Sequence, residues 1–221
     1  MSRVAIVGAH GKVAQQLMRV LYDQGDDFVG VVRNDEHAED VYRLGGNGVL
    51  VDIETADVDA LAAAFEGCDA VVFSAGAGGG SGVERKRTVD YLGSVKSAEA
   101  AARAGIRRFV QVSAWGVDNP VADDAAPDWR AYVDAKRDAD DALRRSGLEW
   151  TILRPGALTF DEGTGRVTLG ESVERGSIPR EDVARLIAAC LAEPGTIGKV
   201  WEVVSGDTPL DDAVRALAAP A

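Results

Sequence analysis

The feature that most constrains this chain is near its amino terminus, where Val4-Ala5-Ile6-Val7 runs straight into Gly8-Ala9-His10-Gly11-Lys12-Val13-Ala14. Four consecutive apolar residues read as a strand buried on both faces. Behind the glycines, Val13, Leu17, Val20 and Leu21 recur at helical spacing. A buried strand that turns through glycine into an amphipathic helix begins a β–α–β unit, and such units build parallel sheets covered by helices. The turn also has a chemical property. Glycine lets the backbone come close to a bound group, and the free N–H groups of the helix start then face an anion. The spacing, G-x-x-G-x-x-A, is one glycine short of the fuller G-x-G-x-x-G fingerprint. Its strand–helix context is what points to a diphosphate rather than to a structural turn.

The rest of the chain alternates in the same way. Further strands are expected at 27–32, 48–51, 70–74, 108–113 and 149–153, with short ones near 166–169 and 200–204. Helices are expected at about 58–65, 83–103, 130–145, 181–191 and 210–217. This order predicts an α/β fold, a Rossmann-type doubly wound parallel sheet with helices on both faces. The 221 residues fit a single domain, 1–221, in which 155–221 contributes a small lobe on the substrate side.

Composition narrows the function. Hydrophobic residues make up 46% of the chain, enough for a real core, and no apolar run approaches the roughly 18 residues of a membrane span. A formal net charge of −12 disfavours nucleic acid and anionic membrane as partners. Two cysteines, Cys68 and Cys190, sit in apolar contexts, and two histidines are too few for a histidine-based zinc site, so no metal is expected. The amino terminus carries no basic region before a signal-type core, which makes a cytoplasmic protein the expectation and leaves a homodimer open.

In an open parallel sheet, ligands bind beyond the carboxyl ends of the strands. Arg33 ends the second strand, where an acidic residue would accept the ribose hydroxyls of NAD; an arginine instead suits the 2′-phosphate of NADP, or is a solvated surface group. Lys12 adds a cation in the first turn of the first helix. Asp52, followed by Ile53, ends the third strand and either accepts from an adenine amino group or caps the next helix. Ala75-Gly76 offers bare backbone after the fourth strand, and the glycines that continue to Gly82 read as a flap or as loop slack.

Tyr132 and Lys136 stand four apart on an expected helix and so share one face. An adjacent ammonium favours phenolate, so the pair is expected to lower the tyrosine pKa and make it a general acid or base. The alternative is a packed tyrosine and a solvated lysine. Trp115 and Trp129 are candidates for a substrate pocket, whereas Tyr42 and Trp201 read as core or rim. Asp138, Asp140 and Asp141 read as the exposed side of the Tyr132 helix, and Arg154 as a residue that positions the turn before Pro155.

Taken in order, these stretches resemble the short-chain dehydrogenase/reductase superfamily, and within it the atypical NAD(P)-binding group described as sugar-epimerase-like or NmrA-like. Ser146-Gly147-Leu148, Thr151 to Gly156 and Ile178 to Ala184 extend the resemblance over nearly the whole chain. It implies an NADP(H) site that includes Gly8, His10, Gly11, Lys12 and Val13 at the first turn. Arg33, Asp52, Ile53, Ala75 and Gly76 would continue that site. Lys136 would hold the nicotinamide ribose, and the backbone after Pro155 would touch the nicotinamide amide. The family usually ends its fifth strand with two hydroxyl residues; here the pair is Ser113-Ala114, so the substrate-orienting hydroxyl is Ser113 or is missing. The expected function is an oxidoreductase or epimerase of a small carbonyl or hydroxyl compound using Tyr132 and Lys136. A non-catalytic NADP(H)-sensing module that regulates a protein partner is the alternative.

Overall fold

A computed structural model describes residues 2–219. Its elements are β1 (Arg3–Val7), α1 (Lys12–Gln24), β2 (Asp27–Val32), α2 (Asp35–Arg43), β3 (Asn47–Leu50), α3 (Val58–Ala64) and β4 (Ala70–Phe73). They continue with α4 (Val83–Arg85), a π-helical segment (Lys86–Leu92), α5 (Gly93–Arg103), β5 (Arg108–Val112), α6 (Pro127–Arg144) and β6 (Glu149–Pro155). The last part holds β7 (Ala157–Thr159), β8 (Arg166–Gly170), β9 (Ser177–Pro179), α7 (Arg180–Ala192), β10 (Lys199–Ser205), β11 (Thr208–Pro209) and α8 (Leu210–Ala218).

The main sheet has the order β3-β2-β1-β4-β5-β6-β10-β8-β11. From β3 to β10 all neighbours are parallel, and β8 and β11 then add antiparallel edges. The chain winds outward from β1 in both directions, so the connection reverses between β1 and β4, and the crevice opens there. β1 is buried on both faces as expected. Val4 and Ile6 pack into the core on the α1 and α7 side, and Ala5 and Val7 into the core under α3 and α5. α1 seals the first side with Val13, Leu17, Met18 and Leu21, each of which contributes roughly 1.5–3 kcal/mol of burial.

Several elements differ from the sequence expectation. α2 has Val41 as its one buried residue, so its apolar stripe is too thin to read; it starts because the Asn34 side chain accepts from the His37 N–H at 2.9 Å. The stretch 83–103 is helical throughout, but its middle winds as a π-helix, which turns Lys86, Val89 and Asp90 inward. α6 starts at Pro127, a residue suited to a first helical turn because its missing N–H would have no partner there. The short pair β7–β9 is also outside the expected set; three-residue strands carry too little pattern to be read.

Candidate active site

The Gly8 turn is fixed by two constraints at once. Its φ is +82°, and a Cβ placed on it would lie 2.6 Å from the Ala75 Cα, so a side chain is excluded both by conformation and by the neighbouring strand end. Gly11 precedes α1 in an extended conformation, and its N–H donates to the Gly8 carbonyl at 2.9 Å. No side chain caps α1 and no acidic residue occupies its first turn. Its first N–H groups therefore remain available to an anion.

From this turn a cavity of about 870 Å³ runs along the carboxyl ends of the strands. Gly8, His10, Gly11, Lys12, Val13, Arg33, Asp52, Ile53, Ala75 and Gly76 all line it, as do Ser113, Tyr132 and Lys136. Among the expected cofactor residues, Pro155 is placed elsewhere. It closes β6, pairs with Val203, and its carbonyl accepts from the Trp115 N–H at 2.9 Å. Trp115 is likewise turned away, with its indole N–H donating to the Val173 carbonyl at 2.9 Å, while Trp129 lines the cavity. Tyr42 is exposed and Trp201 is core.

At the Arg33 end, the rings of His10 and His37 stack at 3.5 Å and 6°, and His10 Nε2 is 3.2 Å from Asp40 Oδ2. Partial burial, His10 and Arg33 together lower the His37 pKa below its ordinary value. Asp52 does not cap the following helix. Asp57 caps α3, through the Ala60 N–H at 2.8 Å, whereas Asp52 closes its own turn on the Glu54 N–H at 2.9 Å. Glu54 in turn binds Arg85 at 2.7 Å and the Thr88 hydroxyl at 2.7 Å, which ties this turn to the start of the π segment. The Arg85 hydrogen bond holds the Glu54 carboxyl below its usual range.

At the other end, Lys136 is 5% exposed, its Nζ lies 3.2 Å from Asp90 Oδ1, and it donates to the Val112 carbonyl at 3.2 Å. Asp90 is buried too, and its second oxygen accepts from the Ala77 N–H at 3.1 Å. Burial pulls the Lys136 pKa down, but Tyr132 and Asp90 outweigh it and hold the ammonium above its ordinary value. Lys86, also buried, places its ammonium 5.4 Å from the centre of the Tyr132 ring and donates to the Gly78 carbonyl. Trp129 leans on the same ring at 5.6 Å.

The expected lowering of the Tyr132 pKa is overturned. Burial raises it, Asp90 and Asp140 add to the rise, and Lys136 alone opposes them. Burial is the largest cause; the lysine still favours phenolate, but it also faces Asp90, whose charge works against it at the phenol. At neutral pH Tyr132 is a protonated phenol, an acid rather than a ready base.

Asp140 also departs from expectation. It is fully buried, while Asp138 is exposed and Asp141 half-buried. Asp140 Oδ1 accepts from Gln111 Nε2 at 2.7 Å, and Oδ2 accepts from Ser113 Oγ and Arg154 Nε, both at 2.9 Å. Arg154 extends this network to Asp118. It therefore serves as the counter-charge of Asp140 rather than only as a residue that sets the turn. Ser113 reaches the cavity wall, but its hydroxyl proton is committed to Asp140, and Ala114 offers no hydroxyl in its place. Asp90, Lys86 and Arg180 were given no role by sequence reasoning, and Asp140 was read as exposed. Lys86 and Asp90, four apart within an expected helix and flanking Val89, were the legible hint, since charges beside an inward valine need partners.

Known proteins resemble this chain in sequence and in fold. The chain is 38% identical to the sugar epimerase YhfK of Bacillus subtilis, an uncharacterized protein, over 97% of this chain and all of that one. A solved structure described as a putative NAD-dependent epimerase/dehydratase from Bacillus halodurans superposes with a TM-score of 0.90 at 40% identity, covering 98% of this chain and all of that one. The oxidoreductase ylbE from Lactococcus lactis superposes at 0.87 with 29% identity, covering 97% and 96%. The NAD(P)H-binding family matches residues 8–194, and this chain belongs to it.

Proposed function

We propose that this chain is an NADP(H)-dependent oxidoreductase or epimerase of a small carbonyl or hydroxyl compound, with Tyr132 as its acid–base residue. One observation carries the reading: a half-buried phenol, its pKa raised, stands in the same cavity as the uncapped helix start at Gly11 and the Arg33 guanidinium. The residues fit the cofactor. The Gly8 cradle that a Cβ would fill and the first turn of α1 suit a diphosphate, and Arg33 with Lys12 suits the extra phosphate that distinguishes NADP from NAD. When bound, the cofactor gives or takes a hydride.

The chain's own groups supply the rest. Tyr132 donates its phenolic proton to a substrate carbonyl oxygen, or accepts one from a hydroxyl in the reverse direction. Lys136 stabilises the phenolate left behind, and Asp90 holds Lys136 in position. Ala75 and Gly76 give the cofactor a bare backbone to lie on, and the 155–221 lobe reaches the substrate side through Leu158 and Arg180. The match to proteins described as an oxidoreductase and as epimerases supports hydride chemistry, and no observation favours the sensor reading. The test is NADPH oxidation over a panel of small carbonyl compounds. Tyr132→Phe should reduce turnover of any accepted compound about 10²–10⁴-fold; undiminished turnover contradicts the mechanism.

A further inference from the structure

We infer that the substrate carries a compact anionic group, a carboxylate or a phosphate, which Lys86 and Arg180 receive at the Tyr132 end of the cavity. This rests on the reading of that end as the substrate site.

The buried cations of this region are not alike. Lys136 faces Asp90, and Arg154 faces Asp140 and Asp118. Among the described residues, Lys86 has no carboxylate within ion-pair distance, although it is only 4% exposed. Its ammonium donates instead to a neutral carbonyl, that of Gly78. A desolvated ammonium without a counter-ion is costly, and an anion placed beside it removes that cost. Lys86 also stands next to Tyr132, within 5.4 Å of its ring centre, so an anion at Lys86 belongs to the molecule on which Tyr132 acts.

Arg180 supplies the second cation. It lines the same cavity, donates to the Leu158 carbonyl at 3.0 Å, lies 4.0 Å over the Phe160 ring, and likewise lacks a carboxylate partner among the described residues. The acids of this wall are Asp90, which is taken by Lys136, and Asp128, whose buried Oδ1 has no hydrogen-bond partner. Lys86 and Lys136 beside Tyr132, with Arg180 on the lining of the same cavity, thus outnumber these two acids, on a chain whose net charge is −12. Asp128 adds a second requirement, a hydroxyl or other donor on the same ligand. The class that answers both is a hydroxylated carbonyl acid or its phosphorylated counterpart.

The probes are benzoate, phenyl phosphate and neutral benzamide, titrated into the NADPH-saturated protein and followed by cofactor fluorescence. At least one anion should bind about tenfold or more tighter than benzamide, and Lys86→Met should weaken it about 10–100-fold while leaving benzamide unchanged, as expected for a charge-assisted hydrogen bond. Arg180→Met should act in the same direction, and it keeps the test open if the Lys86 variant fails to fold. The preference between benzoate and phenyl phosphate identifies the anion. Equal binding of benzamide, no anion binding at all, or anion affinity untouched by both variants overturns the inference. Loss of NADPH affinity in Lys86→Met with anion binding retained also overturns it, because Lys86 would then serve the cofactor. Failure of the wild type to bind NADPH is a different result, which refutes the cofactor reading itself.

Discussion

At the Gly8–Arg33 end of the cavity, the groups that face a ligand are backbone N–H groups and solvent-exposed cations; at the Tyr132 end they are buried side chains that carry charge. The first end needs little from the fold beyond a glycine and a helix start, because water stabilises Arg33 and Lys12 until a ligand arrives. The second end is set in a low-dielectric interior. There Asp90 must answer Lys136, and Asp140 must answer Arg154, before any chemistry can occur. Recognition here is thus separable from stability, whereas the reactive end is built into it.

The largest expected effect tests that coupling. Asp140→Ala leaves Arg154 with only the partly exposed Asp118 and strips Gln111 and Ser113 of their acceptor, so it should cost about 3–5 kcal/mol in urea unfolding. A cost of under about 1 kcal/mol, ordinary for a surface site, would mean that the network is not a structural unit. Next comes Gly8→Ala. A single methyl would meet the Ala75 backbone at a positive φ, with a strain of about 1–3 kcal/mol. NADPH affinity should fall about 10–100-fold, measured by fluorescence titration, and unchanged affinity would remove the turn from the cofactor site.

The finest prediction concerns Asp90→Asn. Asp90 raises the Tyr132 pKa, both directly and by compensating Lys136, so removing its charge should move the phenol toward lower pKa. The alkaline limb of the pH–rate profile should shift to lower pH, and phenolate absorbance, taken as the difference from Tyr132→Phe, should appear earlier. A shift to higher pH would contradict the charge assignment. The same sign governs stability. A folded pKa raised above the ordinary value of about 10 makes the contribution of Tyr132 complete below that pH and loses it as pH rises through the folded value.

The two ends also differ in how they are written in the sequence. The Gly8 turn, Arg33 and Asp52 are local features, each readable from a strand, its end and the residue that follows. Tyr132 and Lys136 are legible for the same reason, since four residues on one helix suffice. Asp90 meets Lys136 across 46 positions, and Ser113 meets Asp140 across 27. Such contacts depend on strand order and on the phase of a π-helical segment that no apolar period announces. The inverted pKa of Tyr132 follows from them: the local pair implies a lowered value, and the distant carboxylates and burial reverse it. α2 was invisible for a related reason, because its start rests on one side-chain cap and its packing on one valine.

The central proposal is that this cavity is an NADP(H) site whose phosphate choice is made at Arg33. Titrating NADPH and NADH against the wild type and Arg33→Asp tests it most directly. The wild type should bind NADPH about 10–100-fold more tightly than NADH, and Arg33→Asp should erase that difference, the size expected for charge-assisted contacts to one phosphate. Equal affinity for the two cofactors in the wild type, unaltered by the substitution, would contradict the account.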